Sequence, residues 1–235
     1  MAIIIKPISK HPLLFVHIPK CAGGTIKYYF NITYNEQPNN YGHCKLCSYK
    51  NEVPSFDYDK FFKFTCLRNP WDRLLSLFKF RTQASLRKKD TYWNNIVQKK
   101  INFKNWIKII KEDTEYRSIH CASYFSYLSH NKANIDMDFI INFHNFKEDF
   151  NKIKVFKNRK IYYLPKDKKT KHKFKHSSKH KDFRNYYDSD SIEIVANIYK
   201  KDIDLFNYDF DNYKFANYSK YQNFEKIKQL AKMNK

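Results

Sequence analysis

Apolar residues run from Leu13 to Ile18, broken only by His17, as in a short buried strand. Pro19 ends the run. After a short loop, Ile26, Tyr29 and Phe30 fall on one side of a helix that Thr25 is placed to cap. From Asn31 to Asp59 the chain turns polar and irregular, with Asn39-Asn40 and two prolines, a long connection of the functional kind. A second strand–helix unit follows. Phe61 to Leu67 is rich in aromatic and β-favouring residues, and Asn69-Pro70 supplies an N-cap and a first-turn proline. Trp71, Leu74, Leu75 and Phe78 then recur at i, i+3, i+4 and i+7, the stripe of an amphipathic helix. Ile101–Ile110 predicts another helix, and Phe139–Phe143 and Ile161–Leu164 two further short strands. Asp190-Ser-Ile-Glu193 is spelled like a capping box, and Ile192, Val195, Tyr199 and Phe206 mark the buried face of a last helix. The residues after Tyr208 read as a polar, Lys-rich and frayed tail. There are no internal repeats. Alternating strands and helices predict an α/β fold whose mostly parallel sheet is covered on both faces.

Composition narrows this little until glycine is considered. A chain of 235 residues with 42% hydrophobic and 18% aromatic content suits one α/β domain with a real core, spanning about 13–210 before a tail at 211–235. Glycine occurs only 3 times, and Gly23 and Gly24 are two of them. The chain therefore concentrates its backbone freedom in the loop after the first strand. The balance of 45 basic and 23 acidic residues, net +22, favours anionic partners: nucleic acid, lipid, phosphorylated cofactors or sulfated and carboxylated sugars. An AT-rich genome accounts equally for the bulk of the lysines, so charge alone chooses no partner. The 5 cysteines, an odd number with no signal-peptide pattern, point to reduced thiols in a cytoplasmic setting. No stretch is long and apolar enough to cross a bilayer.

The first loop is built to hold an anion. Backbone N–H groups at a helix start lack intrahelical partners, and the helix dipole favours negative charge there. Gly23 and Gly24 let the backbone approach a phosphate; Lys20 adds a mobile charge and Thr25 a hydroxyl. A Walker loop places its lysine after the glycines, whereas Lys20 precedes them. The second unit puts Arg68 at a strand end and Ser76 two helical turns on, a guanidinium fork and a compact donor for phosphate oxygens. Asp72 and Arg73 read as an ion pair or as helix-terminus charges.

These two segments carry a resemblance. Phe15-Val-His-Ile-Pro-Lys-Cys-Ala-Gly-Gly-Thr25 resembles the 5′-phosphosulfate loop of sulfotransferases that use 3′-phosphoadenosine 5′-phosphosulfate (PAPS). Phe64-Thr-Cys-Leu-Arg-Asn-Pro-Trp-Asp-Arg-Leu-Leu-Ser76 resembles their 3′-phosphate motif. The style is that of the carbohydrate branch, with the heparan and chondroitin enzymes and their microbial or viral relatives. Weaker echoes at Asp138–Phe150 and Tyr186–Tyr208 extend it to about Leu13–Phe210. The resemblance implies a P-loop-like fold and in-line transfer of a sulfuryl group from PAPS to a hydroxyl, with PAP released and no metal. It implies that Lys20 stabilises the leaving 5′-phosphate, that Cys21, Ala22, Gly23, Gly24, Thr25 and Ile26 hold that phosphate, and that Arg68 and Ser76 hold the 3′-phosphate. Cys21 stands where many relatives have Thr.

The acceptor hydroxyl must also lose a proton. His43 lies where the heparan 2-O type enzymes carry a base histidine, and imidazole suits that work. His17 reads as a strand residue beside the site; His120 and His144 are weaker rivals, and many relatives have Glu at the position of His144. Cys44-Lys-Leu-Cys47 is a lone CxxC without two more zinc ligands. In the basic loop Lys171–His180, where relatives close over the nucleotide, Ser177, Ser178 and then Arg184 are placed to reach the cofactor; a solvated loop is the plainer interpretation. The acceptor expected is a glycan, anionic or neutral. Two other classes remain. An ATP-dependent small-molecule kinase lacks here both the Walker spelling and an obvious carboxylate for Mg²⁺. A basic nucleic-acid-binding module lacks a zinc-finger, RNP-type or helix-turn-helix signature.

Overall fold

A computed structural model describes residues 2–5, 13–30, 46, 61–84, 91–129, 134–153 and 180–233. The elements, in chain order, begin with β1 (Ala2–Ile5), β2 (Leu13–Val16), α1 (Gly23–Tyr29), β3 (Phe62–Leu67) and α2 (Pro70–Ala84). Next come α3 (Thr91–Gln98), α4 (Phe103–Glu112), α5 (Thr114–His120), α6 (Tyr124–Leu128) and β4 (Phe139–Asn142). The last are α7 (Phe146–Ile153), α8 (Ser189–Ile198), α9 (Lys200–Phe206) and α10 (Phe224–Met233). They group into two compact units, one of residues 1–68, 124–174 and 217–235, the other of 69–123 and 175–216.

The first unit contains the sheet, in the order β1-β2-β3-β4. β2, β3 and β4 are parallel, with Leu13 beside Phe62 and Phe64 beside Phe139, while β1 joins antiparallel. Every residue of β2 and of β3 is buried, as befits parallel strands covered on both faces. On one face Leu13, Phe15, Phe62, Phe64, Cys66, Phe139 and Ile141 meet Ile26 of α1, Phe150 and Ile153 of α7 and Ile227 of α10. Burying each of these aliphatic or aromatic side chains stabilises the fold by about 1.5–3 kcal/mol. The fold is thus α/β, with a mostly parallel sheet flanked by helices.

One strand was not foreseen and one expectation needs correction. β1 was not legible as a strand: its Ala-Ile-Ile-Ile run is short and takes its identity from pairing with β2. The residues after Tyr208 are not merely a frayed tail. Asn223 N–H donates to the Asp138 carbonyl at 2.9 Å, and Lys226 Nζ reaches both Asp138 carboxylate oxygens at 2.8 and 2.9 Å. These contacts anchor α10 beside the start of β4, where Ile227 joins the core. The strand expected at Ile161–Leu164 lies outside the described residues.

The second unit is helical. Phe78, Trp93, Phe103 and Trp106 pack with ring centroids 5.4 to 6.1 Å apart. The start of α2 is tied down within this unit. Trp71 Nε1–H donates to the Ile192 carbonyl at 3.1 Å, Tyr187 O–H to the Trp71 carbonyl at 2.8 Å, and Asn69 Nδ2 to the Asp209 carbonyl at 2.9 Å. Arg73 is buried and donates to the Ala122 carbonyl at 2.9 Å, while Asp72 faces His180 Nε2 at 3.5 Å. The predicted last helix is two, α8 and α9, parted at Tyr199. The capping box lies two residues earlier than its spelling suggested: Asp188 accepts from Ser191 N–H, and Ser191 Oγ accepts from Asp188 N–H. An Asp at the N-cap with Ser three residues on does the same work as Asp190 with Glu193 would have done.

Candidate functional site

The loop between β2 and α1 is the centre of interest, and its local structure is unusual. Lys20 and Ala22 both have left-handed backbones, φ 65° and 56°, while neither Gly23 nor Gly24 has positive φ. Each non-glycine residue in that region costs on the order of 1 kcal/mol, and such residues cluster where function or packing compels them. Ala22 in the left-handed region followed by right-handed Gly23 is the pairing that turns successive backbone N–H groups toward one concave side, an anion nest. Hydrogen bonds hold the loop at both ends: Cys21 N–H to the Ile18 carbonyl at 3.4 Å and Ile26 N–H to the Ala22 carbonyl at 3.1 Å. Because α1 starts at Gly23, Thr25 is its third residue rather than its cap, which corrects the sequence expectation.

Beside this loop stands Arg68, just past the end of β3 and only 8% exposed. Its Nη1–H points at the Lys20 carbonyl, 3.4 Å away. Its guanidinium carbon lies 4.2 Å from the centroid of the Phe143 ring, a cation–π contact that holds the charged end beside the loop. The Arg68 carbonyl accepts from Tyr124 O–H, so both ends of the residue are tied down within the first unit. Cys66, the neighbour on β3, has its thiol pushed well above the usual range, chiefly by burial and next by Cys21, with Arg68 pulling the other way. It stays protonated and is no nucleophile.

The predicted residues fall into three groups. Lys20, Cys21, Ala22, Gly23, Gly24, Thr25 and Ile26 form the loop and helix start, with Arg68 against them. Ser76 lies in α2, within the second unit, and is buried. His43 and Ser178, with Ser177, Cys44 and Cys47, lie outside the described residues. Of the other histidines, His17 follows β2, His144 follows β4 in a 3₁₀ turn, and His120 ends α5. Arg184 is bound to the Asp182 carboxylate, its Nη2 at 2.6 Å, and its Nη1 donates to the Asp211 carbonyl at 3.1 Å. Phe143 and Tyr124, which hold Arg68, were not foreseen. They lie 75 and 56 positions away in the chain, and only the folding of β4 and α6 onto β3 brings them there.

The comparisons agree with the motifs. A family model described as "Sulfotransferase family" matches residues 4–209 of the 235-residue chain. The chain belongs to the sulfotransferase family. The match covers both strand–loop–helix motifs and runs into the start of the segment preceding α10. No curated protein and no solved structure matches this family member. Family membership makes the chain a transferase acting on sulfuryl groups. Among the described residues no cluster of His, Cys, Asp or Glu suits a metal ion, and no helix is long and apolar enough to cross a membrane.

Proposed function

We propose that the protein transfers a sulfuryl group from PAPS to a hydroxyl of a carbohydrate. The single observation behind this is the placement of Arg68 against the left-handed Lys20 loop in a member of the sulfotransferase family. A nest of backbone donors beside a planar guanidinium fits two phosphoryl-type anions on one ligand better than it fits a single phosphate. PAPS supplies the activated sulfuryl group, with PAP as the leaving product.

The chain's own residues do the rest. The nest formed by Ala22 and Gly23 holds the 5′-phosphate, and Lys20 places positive charge where the leaving phosphate gains negative charge. Arg68, in cation–π contact with Phe143, takes the 3′-phosphate in bidentate fashion, with Ser76 as a second donor. Ser178 contributes from the basic loop. His43 accepts the proton of the acceptor hydroxyl. A cytoplasmic, reducing setting suits an odd set of cysteines in which Cys66 and Cys121 are buried.

Titration calorimetry with PAP tests the donor. The wild type should bind PAP, and Lys20→Ala and Arg68→Ala should each lose at least tenfold in affinity. Undiminished affinity in both variants overturns the proposal. Thermal shifts with Mg-ATP serve as the contrast: stabilisation by Mg-ATP but not by PAP would favour a kinase. Transfer of labelled sulfuryl across glycan, lipid-linked sugar, protein and small alcohol acceptors tests the carbohydrate assignment.

A further inference from the structure

The two glycines of the loop look interchangeable in the sequence and are not so in the structure. A Cβ built on Gly24 meets no atom within 4 Å. A Cβ built on Gly23 would stand 1.9 Å from both Cδ2 and Nε2 of His17 and 2.9 Å from its Cε1. Carbon atoms in contact need about 3.5 Å, so no relaxation of a few tenths of an ångström removes that overlap. The edge of the imidazole is laid directly against the Gly23 Cα. On its other side the ring stacks on Phe15, centroids 5.8 Å apart and planes 25° apart, and Phe15 stacks on Phe64 in the core at 5.2 Å. A continuous file of rings thus runs from the sheet to the first residue of α1.

This file reaches the loop where the backbone is least at ease. Gly23 follows Ala22, whose φ is 56°, and Lys20 at 65° lies two residues before that. Such conformations persist only when their surroundings over-determine them. Gly23 itself has no positive φ, so its own backbone does not require glycine. What requires it is the ring.

We infer that His17 is a positioning residue for the anion loop, and that position 23 is glycine to admit the His17 ring rather than to admit the ligand; this rests on the PAPS reading above. The ring braces the helix start, and through it the left-handed Ala22 and the backbone donors of the nest. His17 acts through Gly23 and makes no contact with the sulfuryl group.

The test is a cycle of four proteins, wild type, His17→Ala, Gly23→Ala and the double variant, read by PAP affinity and by the KM for PAPS against kcat. Gly23→Ala should weaken PAP binding at least tenfold, because the methyl group and the ring cannot both keep these positions, and displacing the ring removes its brace. His17→Ala should raise the KM for PAPS about fivefold to tenfold with kcat changed less than threefold. In the His17→Ala background the added methyl group should cost less than threefold. That last comparison does not need Gly23→Ala alone to fold. A loss of tenfold or more on adding Gly23→Ala to His17→Ala would show that the ligand, not the ring, needs the glycine, and would overturn the inference. So would coupling seen only in thermal stability, with PAP affinity and KM equal in all folded variants. Wild-type protein that binds no PAP overturns the donor reading itself, a result distinct from wild-type binding with an additive cycle.

Discussion

The molecule makes the passage from strand to helix twice, and by different physical means. Between β3 and α2 only Arg68 and Asn69 intervene, and the helix that follows has 15 residues. Asn69 Oδ1 accepts the Trp71 N–H at 3.1 Å, and Pro70 occupies the first helical position. Both devices are local and specify the helix start, which long-range bonds such as Asn69 Nδ2–H to the Asp209 carbonyl then dock. Between β2 and α1 six residues, 17–22, intervene, two of them left-handed, and the helix has 7 residues. That turn is shaped by packing: the His17 ring, within the turn itself, lies against Gly23, and Arg68 comes from afar to the Lys20 carbonyl. A locally encoded turn tolerates change in its neighbours. A turn shaped by fit does not, and this is the one that carries the backbone donors.

The largest expected effect breaks the second kind of turn at its charge. Lys20→Ala should lower kcat for sulfuryl transfer by about a hundredfold or more, as for the loss of one group that stabilises a developing anion; steady-state rates at saturating PAPS read it. Next comes the contrast between the glycines. Gly23→Ala should destabilise the fold by about 1–3 kcal/mol as an overpacking change. Gly24→Ala should be neutral or stabilising by up to about 1 kcal/mol, since it adds helix propensity in open space. Urea melts of the two single variants distinguish them, and equal midpoints would refute the asymmetry.

Phe143→Leu removes the ring beneath Arg68 and should cost about 1 kcal/mol of PAP binding, roughly fivefold in affinity, by loss of the cation–π contact. The locally encoded turn should respond more uniformly. Asn69→Ala should cost about 1–2 kcal/mol of stability, through its cap and its bond to the Asp209 carbonyl. The smallest effect is one of pH at the start of α8, again a local cap. Hydrogen bonds from Ser191, first its side chain and then its backbone N–H, followed by Lys104, hold the Asp188 carboxyl below the usual carboxylate range. An unfolded Asp titrates near pH 3.9, so below about pH 4 the unfolded chain takes up the proton first. The contribution is therefore present above pH 4 and lost as pH falls. Asp188→Asn keeps a capping oxygen but no charge, so its melting temperature should lie below the wild type at pH 7 and fall less steeply between pH 4 and 2.

Much of the fold could be read from the chain. β2, β3 and β4 lie within a residue or two of their apolar runs, and α4 is displaced from Ile101–Ile110 to Phe103–Glu112 because Asn102 caps it, accepting from Asn105 N–H. The misplaced capping box at Asp190 was an error of local choice, and the single last helix overlooked a distant contact. Two spellings of the same cap lie within a few residues, and the break at Tyr199 arises where its hydroxyl donates to the Cys121 carbonyl, 78 positions away. The site was legible as chemistry and not as geometry. Lys20, the glycines and Arg68 announce an anion. Nothing in their spacing shows that Phe143 carries the guanidinium or that His17 needs Gly23.

What the sequence by itself determined is the alternation of strands and helices, the capped start of α2, and the family to which the two motifs belong, because each depends on residues within a few positions of one another. What only the tertiary structure decided is which glycine is free, which residues bear left-handed strain, and what holds Arg68. Those are matters of how rings and carbonyls fit in space, whether the partners are close in the chain, as His17 and Gly23 are, or far apart, as Arg68 and Phe143 are.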